Sequence, residues 1–257
     1  MSKENDRIIR LMKRRKRQVL EGRGTGGGPD YVPLLKANEA RSIGTACMIQ
    51  DPIASRTVHV MSTVEKELFY LLRWNQEVED IREQYLMDMD KVSIIAEKYG
   101  LGPVNKRLPY TLDFLVTYRD KSRPATAYSV KASEKVFRKN SREYRGNEKK
   151  YRKIMNRITL EKIYWEEEGC EYKVIVSEDI NHILASNIEL VMNYYDRRRV
   201  INTTHKLIYL IAHRYVDVPL DKERLKPNRL ICDFPYCVDQ LYEAATAEED
   251  QLYGMHY

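Results

Sequence analysis

Cysteine is scarce in this chain, and its four cysteines lack the spacing of a disulfide framework or a zinc site. The closest pair, Cys232 and Cys237, has no histidine partner nearby. Apolar runs are also short, and none approaches the ~20 residues that a membrane-spanning helix needs. The N-terminus is basic and polar, unlike a secretory signal peptide. These absences argue against structural zinc, a membrane protein and a secreted protein, so we expect a cytoplasmic protein.

The composition is that of a folded protein with a polyanionic partner. The 257 residues have room for one large or two modest domains, and 43% hydrophobic with 32% charged residues indicates a core and a wet surface. The net charge is +6. Basic residues concentrate in 3–23 and 131–162, whereas the tail around residue 249 is acidic. A single charge run is usually a solvated helix face, but two runs that bracket the candidate catalytic residues favour nucleic acid.

The order of predicted elements indicates an α/β fold with a mixed sheet flanked by helices. The pattern predicts a helix over 3–21, a glycine-rich loop over 22–30, strands over 58–60, 77–85, 110–118, 125–131 and 172–176, and helices from residue 62, over 91–98 and up to about 168. The glycine-rich loop lacks the Gly-Lys-Ser/Thr ending of a Walker A motif, so close approach to DNA and a flexible connector both stay open.

After residue 177 the pattern changes to short amphipathic helices, predicted over 180–195, 203–215 and 235–247. We therefore expect two domains, a 1–177 α/β domain with a basic N-terminal helix and a 178–257 helical domain for DNA or partner docking. Three short helices suit a helix-turn-helix or winged-helix module, and they suit a protein-docking bundle equally well.

Three separated residues follow the chemistry of phosphodiester hydrolysis, which needs carboxylates to hold a hard cation and an activated water. Asp113 lies within an apolar strand, where a lone carboxylate is costly unless it is paired or binds a metal. Lys131 ends the next predicted strand, and across a hairpin its ammonium would share a face with Asp113. Glu65, near the start of a helix, would supply the second carboxylate.

Each of these residues also has an ordinary explanation. Residues 62–65 fit a capping box, in which Glu65 satisfies a free backbone donor at the start of the helix. Asp113 could pair with an arginine, and Lys131 could extend its ammonium from a strand end into solvent. It is the three residues together that favour a nuclease.

Several segments resemble the PD-(D/E)xK nuclease fold and, more closely, the TnsA-type endonuclease subunits of heteromeric cut-and-paste DNA transposases. The segments are Glu21-Gly22-Arg23-Gly24 with Asp30-Tyr31-Val32-Pro33, Asp80-Ile81-Arg82-Glu83-Gln84, Asp113-Phe114-Leu115-Val116, Val130-Lys131, and Glu161 to Trp165. The likeness covers roughly residues 11 to 195. Asp-Ile-Arg-Glu-Gln, in the right order among the others, is more specific than any single catalytic position.

The resemblance implies that Glu65 and Asp113 hold Mg²⁺ or Mn²⁺, that Lys131 is the catalytic lysine, and that Glu161 is a further acidic residue of the site. It implies cleavage of double-stranded DNA at the 5′ ends of a transposon. It also implies two partners, a separate transposase subunit that cuts and joins the 3′ ends, and an ATP-dependent regulator that docks on the C-terminal domain.

Two features depart from the family pattern. Ser129 stands where the fold usually has Asp or Glu, or in this family Gln, and a serine hydroxyl is a weak metal ligand. The metal would then depend on Asp113, the Val130 backbone carbonyl and water. The stretch after Lys131 is longer than usual and basic, and we expect it to contact DNA unless it is a solvated helical insertion. The predicted DNA contacts are Arg14, Arg15, Arg17, Arg23, Arg138, Lys139, Arg145, Lys149 and Lys150.

Two alternatives to a transposition endonuclease remain open at this point. One is a restriction- or repair-type nuclease of the same fold that acts alone. The other is a catalytically degenerate DNA-binding scaffold of a transposition complex, to which Ser129 would point.

Overall fold

The structure, a computed structural model, describes residues 3–39, 45–106, 108–142, 144, 147–234 and 236–254. Its contacts divide the chain into two units, Met1–Ile180 and Asn181–Tyr257. The expected domain boundary after residue 177 lies close to this division. None of the helices in these ranges is long and apolar enough to cross a membrane.

A four-stranded mixed sheet forms the centre of the first unit. Its strands are β3 (Val78–Leu86), β4 (Thr111–Tyr118), β5 (Thr126–Lys131) and β6 (Glu171–Val176). They are ordered β3-β4-β5-β6, with antiparallel pairing except between β5 and β6, which are parallel. The predicted mixed α/β class is confirmed. A separate antiparallel pair, β1 (Cys47–Asp51) and β2 (Arg56–Val60), precedes it, and the sequence analysis had found only β2.

The described residues of this unit form four α-helices, α1 (Lys3–Leu20), α2 (Thr63–Trp74), α3 (Met89–Lys98) and α4 (Glu148–Glu167). Helix α3 buries Val92, Ile95 and Ala96, whose three- and four-residue spacing places them on one face. They pack with Leu112 of β4 and Trp165 of α4 in one apolar cluster. Burial of that cluster holds α3 and α4 together against the strand that carries Asp113.

The glycine-rich loop packs against strand β3. The Gly24 amide donates to the Val32 carbonyl over 2.7 Å, and the Leu86 amide donates to the Gly24 carbonyl over 2.8 Å. Gly24 has a φ of +77°, and a Cβ there would lie 2.9 Å from the Leu86 Cβ. Any other residue would therefore clash with the strand while adopting a strained backbone. This part of the loop is thus a fixed cover of the strand and not a free connector.

The second unit is helical, as predicted. It contains α5 (His182–Met192), α6 (Thr203–Ala212), α7 (Pro227–Asp233) and α8 (Val238–Gly254). Helix α6 is buried along Leu207–Ala212, so it forms the centre of this unit. The sequence analysis had not found α7. The described residues of the unit include no strand that could form the wing of a winged helix.

A buried ion pair joins the two sheets of the first unit. Arg56 Nη2 on β2 lies 2.8 Å from Glu83 Oε2 on β3, and both side chains are almost fully buried. The same carboxylate accepts from the His59 amide over 3.0 Å, and Arg56 also donates to the Ile81 carbonyl. Burial raises the pKa of Glu83, whereas the pKa of Arg56 is raised because hydrogen bonding and charge from Glu83 outweigh its burial.

We predict that Glu83→Ala lowers the free energy of unfolding by about 3–5 kcal/mol, because it leaves the Arg56 guanidinium buried without its counter-charge. Urea denaturation measures this loss. The matched control is Lys121→Ala, which removes the exposed Lys121–Glu79 pair and is expected to cost less than about 1 kcal/mol. Equal losses in the two variants would contradict the structural role of the buried pair.

Candidate active site

Glu65 is fixed by the first turn of its own helix. The Ser62 side chain accepts a hydrogen bond from the Glu65 amide over 3.1 Å, which caps α2. In return the Glu65 carboxylate accepts from the Ser62 hydroxyl over 2.9 Å and from the Met61 amide over 2.8 Å. The capping interpretation of Glu65 is therefore correct, and it does not compete with the functional one, because a carboxylate oxygen accepts more than one interaction.

Asp113 lies on β4 beside the end of β5. Its Oδ2 accepts from the Val130 amide over 2.7 Å, and the Gln84 side-chain amide lies 3.4 Å from its Oδ1. Gln84 also accepts from the Thr111 hydroxyl over 3.1 Å. The Gln84 backbone has a φ of +49°, a conformation that is costly for a residue with a side chain. This strained residue of β3 thus aims its amide at the Asp113 carboxylate.

Lys131 ends β5 with its ammonium turned back along the strand. Its Nζ lies 2.6 Å from Ser129 Oγ and 3.2 Å from the Val130 carbonyl oxygen. The charge of the Lys131 ammonium opposes the rise in pKa that burial causes at both Glu65 and Asp113. The alternative of a lysine that merely extends into solvent does not describe these contacts.

Glu161 on α4 is 3% exposed and reaches the same strand. Its Oε2 accepts from the Ser129 hydroxyl over 2.8 Å and from the Tyr172 hydroxyl over 3.0 Å, while its other oxygen accepts from Arg157. Burial, followed by the charge of Glu161, raises the pKa of Tyr172, which keeps that phenol a donor. Glu161 therefore belongs to the site by contact as well as by the sequence motif.

The two candidate metal carboxylates are electrostatically coupled. Burial and then the nearby charge of Asp113 raise the pKa of Glu65 to about 7. Burial also raises the pKa of Asp113, with Lys131 opposing the shift and Glu161 adding to it. A cation beside these two desolvated carboxyls would favour their ionised form, which burial disfavours. The structure thus brings together Glu65, Asp113, Lys131, Ser129 and Glu161.

The donors of the site fit a small hard cation that keeps several of its water ligands better than a cation held entirely by protein groups. No three His, Cys, Asp or Glu side chains cluster as a metal-binding group within the described ranges. Mg²⁺, however, keeps several waters and is commonly held by one or two carboxylates, and the same geometry accommodates Mn²⁺. Glu65 and Asp113 supply such a pair. The Val130 amide bonds to Asp113, and the Val130 carbonyl oxygen, the expected backbone ligand, lies 3.2 Å from Lys131 Nζ. The Glu65 and Asp113 carboxylates therefore fit a Mg²⁺ or Mn²⁺ ion.

The residues predicted to contact DNA do not form one free patch. Arg14 and Arg23 both bind Glu39, at 3.0 and 3.1 Å, and Arg17 lies 3.5 Å from Glu21. Arg15 donates to Gln18 over 2.7 Å. In the second stretch, Arg138 pairs with Glu134, Lys139 lies 3.0 Å from Glu148, and Lys149 and Lys150 are exposed in the first turn of α4. Arg145 lies outside the described residues.

Comparison with known proteins agrees with this geometry. Residues 75–177 match the family model described as TnsA-like endonuclease N terminal. The resemblance to the TnsA-type endonucleases is confirmed. The TnsA-like region contains Asp113, Lys131 and Glu161, whereas Glu65 precedes it and joins the site through the fold.

A named relative extends the likeness beyond that region. The transposon Tn7 transposition protein TnsA of Escherichia coli is 28% identical over 176 residues, which cover 67% of this chain. The chain spans 60% of the length of that curated relative.

Sequence reasoning missed two residues that complete the site. Arg157 binds Glu161 and donates to the Thr111 carbonyl over 3.0 Å, with its guanidinium 3.6 Å from the centre of the Tyr110 ring. Only its position four residues before Glu161 on a helix signalled that contact. Gln84 was quoted in the Asp-Ile-Arg-Glu-Gln segment without a role, and nothing in its sequence context predicts a left-handed backbone.

We predict that Glu65→Gln gains stability relative to the native chain as pH rises in the absence of divalent cations. Since the folded-state pKa of Glu65 is raised to about 7, the carboxyl favours the folded state below its ordinary pKa and loses that contribution as pH rises through about 7. Glutamine has no proton to lose. Melting temperatures in a chelator at about pH 5 and about pH 8 should diverge by ~2 °C or more.

The control for this measurement is Glu97→Gln, at an exposed position near the end of α3. It should show the same difference from the native chain at both pH values. A Glu65→Gln difference that does not change with pH would contradict the raised pKa of Glu65.

Proposed function

We propose that this chain is a metal-dependent DNA endonuclease that cleaves at the 5′ ends of a transposon, together with a separate transposase subunit that cuts and joins the 3′ ends. The observation that carries the proposal is the convergence of Asp113 and Lys131 at the end of β5, with Glu65 near enough that the charge of Asp113 adds to the rise in its pKa. The TnsA-like region and a relative named as a transposition protein support the transposon context.

Each side chain has a role that follows from its contacts. Glu65, Asp113 and the Val130 carbonyl would hold Mg²⁺ or Mn²⁺, which when bound activates water and neutralises phosphate charge. The Val130 amide and Gln84 orient the Asp113 carboxylate. Lys131 places a positive charge where negative charge develops on the attacked phosphate, and it orients the attacking water. Partial burial of the site strengthens these charge interactions relative to water.

Double-stranded transposon-end DNA is the proposed substrate, and the basic residues of both predicted stretches are its proposed phosphate contacts. The proposal also includes an ATP-dependent regulator that docks on the helical second unit. The positive net charge and the exposed start of α4 support the DNA contacts. The helical character of the second unit is compatible with the docking of a partner protein.

We predict that Asp113→Ala lowers strand cleavage by at least ~100-fold, since a lost metal carboxylate removes charge stabilisation from the transition state. Strand-resolved cleavage of a plasmid carrying the transposon ends, with Mg²⁺ and the transposase subunit present, measures this loss. Asp120→Ala is the matched control, because Asp120 lies on the exposed β4–β5 turn, where its carboxylate accepts from the Ser122 amide and hydroxyl. Full activity of Asp113→Ala would refute the proposed active site.

The same assay separates the two alternatives. Sequence-specific cleavage by the purified chain without the transposase would favour an autonomous nuclease of the same fold. Absence of cleavage, with Mn²⁺ heat signals equal for the native chain and Asp113→Ala in calorimetry, would favour a DNA-binding scaffold.

The DNA contacts of α4 have their own test. Lys149→Ala should weaken binding to duplexes of any sequence and reduce the slope of log affinity against log salt by about 1, because one phosphate contact is lost. Lys98→Ala, an exposed lysine at the end of α3, should leave that slope unchanged. Fluorescence anisotropy across a salt series measures both, and equal slopes for the two variants would remove this helix start from the DNA contact.

A further inference from the structure

Ser129 connects the candidate catalytic lysine to a buried carboxylate. Its side chain is 1% exposed, with Lys131 Nζ 2.6 Å from its Oγ and Glu161 Oε2 2.8 Å away on the other side. An ammonium only donates and an ionised carboxylate only accepts. The order of donation is therefore fixed, from Lys131 to Ser129 and from Ser129 to Glu161. The hydroxyl uses its single proton toward the carboxylate.

The Glu161 carboxylate is fully engaged by protein groups. One oxygen accepts from Arg157, and the other accepts from Ser129 and from Tyr172. Arg157 is itself held by the Thr111 carbonyl and by the face of Tyr110. The carboxylate thus has a guanidinium on one side and, through one hydroxyl, an ammonium on the other. A cation is not needed to satisfy it.

We propose that Ser129, Glu161 and Arg157 are positioning residues that orient Lys131, and that neither Ser129 nor Glu161 is a metal ligand. This rests on the proposed nuclease function. Serine at this position has a physical consequence, since Asp or Glu there would set a second carboxylate against buried Glu161. The serine hydroxyl avoids that repulsion, because it donates to Glu161 while its oxygen accepts from the Lys131 ammonium. The expectation that Ser129 weakly ligates the metal is replaced by this role.

The decisive variant is Ser129→Ala. It removes one hydroxyl, yet Glu161 keeps Arg157 and Tyr172 and Lys131 keeps the Val130 carbonyl, so the fold is expected to survive. Cleavage in the complete reaction should fall by ~10–100-fold, as for other residues that orient a catalytic group. The dissociation constant for Mn²⁺, measured by calorimetry, should stay close to that of the native chain, because the Ser129 hydroxyl bonds to Lys131 and Glu161 and to neither proposed metal carboxylate.

Ser129→Thr is the matched rescue variant. Threonine keeps the hydroxyl, and its branched side chain suits a strand such as β5. Cleavage by Ser129→Thr should return to within ~3-fold of the native chain, again with an unchanged Mn²⁺ affinity. Glu161→Gln keeps an acceptor for Ser129 and removes only a nearby negative charge, so it should weaken Mn²⁺ binding far less than Asp113→Ala does.

An NMR measurement tests whether Ser129 orients Lys131, without any cleavage assay. In the metal-free protein, the Lys131 Nζ–Hζ correlation in NMR, assigned by its loss in Lys131→Met, should be protected from exchange in the native chain and in Ser129→Thr. The correlation should disappear in Ser129→Ala, because the ammonium loses its shorter hydrogen bond.

The outcomes distinguish a failure of the proposed positioning of Lys131 from a failure of the proposed nuclease function. Mn²⁺ affinity that falls in Ser129→Ala, or in Glu161→Gln, as far as it falls in Asp113→Ala would make that residue a ligand and overturn the proposal. Native-like cleavage or native-like protection of Lys131 in Ser129→Ala would overturn it as well. If the native chain itself does not cleave, the proposed function fails, and the NMR comparison still decides the positioning of Lys131.

Discussion

The buried Arg56–Glu83 ion pair is the constraint on which the arrangement of the site depends. Strand β2, which carries Arg56, continues through residues 61 and 62 into helix α2 and Glu65. Strand β3, which carries Glu83, continues in the next residue to Gln84 and so to Asp113. The pair therefore sets the distance between the two elements that deliver the two carboxylates. Because both ions are desolvated, the connection persists only while both partners are present.

The site itself opposes folding. Two desolvated carboxylates with raised pKa values and a left-handed residue at Gln84 each cost free energy. The apolar cluster of α3, β4 and α4 offsets these costs beneath the same strands. The packed scaffold thus holds these ionisable groups in a desolvated arrangement that is unfavourable on its own. Groups fixed in advance in this way are what electrostatic catalysis uses.

Local signals predicted the parts of the site that lie within one element. The alternation of residues 110–131 gave the β4–β5 hairpin, which brings Asp113 to Val130, and the capping pattern gave the start of α2 at Glu65. Strand β1 was missed because its five residues have little alternation of their own and pair only with β2. The contacts of Arg157 and the backbone of Gln84 arise from packing between distant segments, which no local pattern encodes. Glu161 was expected in the site only because its segment resembles a segment of the family.

Helix α2 is anchored at both ends. At its start, Glu65 is held by the preceding two residues, and near its end Arg73 lies 2.5 Å from Asp51, at the end of β1. The helix has 12 residues and is about 18 Å long. It therefore connects the β1–β2 hairpin rigidly to the Glu65 carboxylate. Because both ends are held, a shift of the hairpin tip would move the helix as one body and change the position of Glu65.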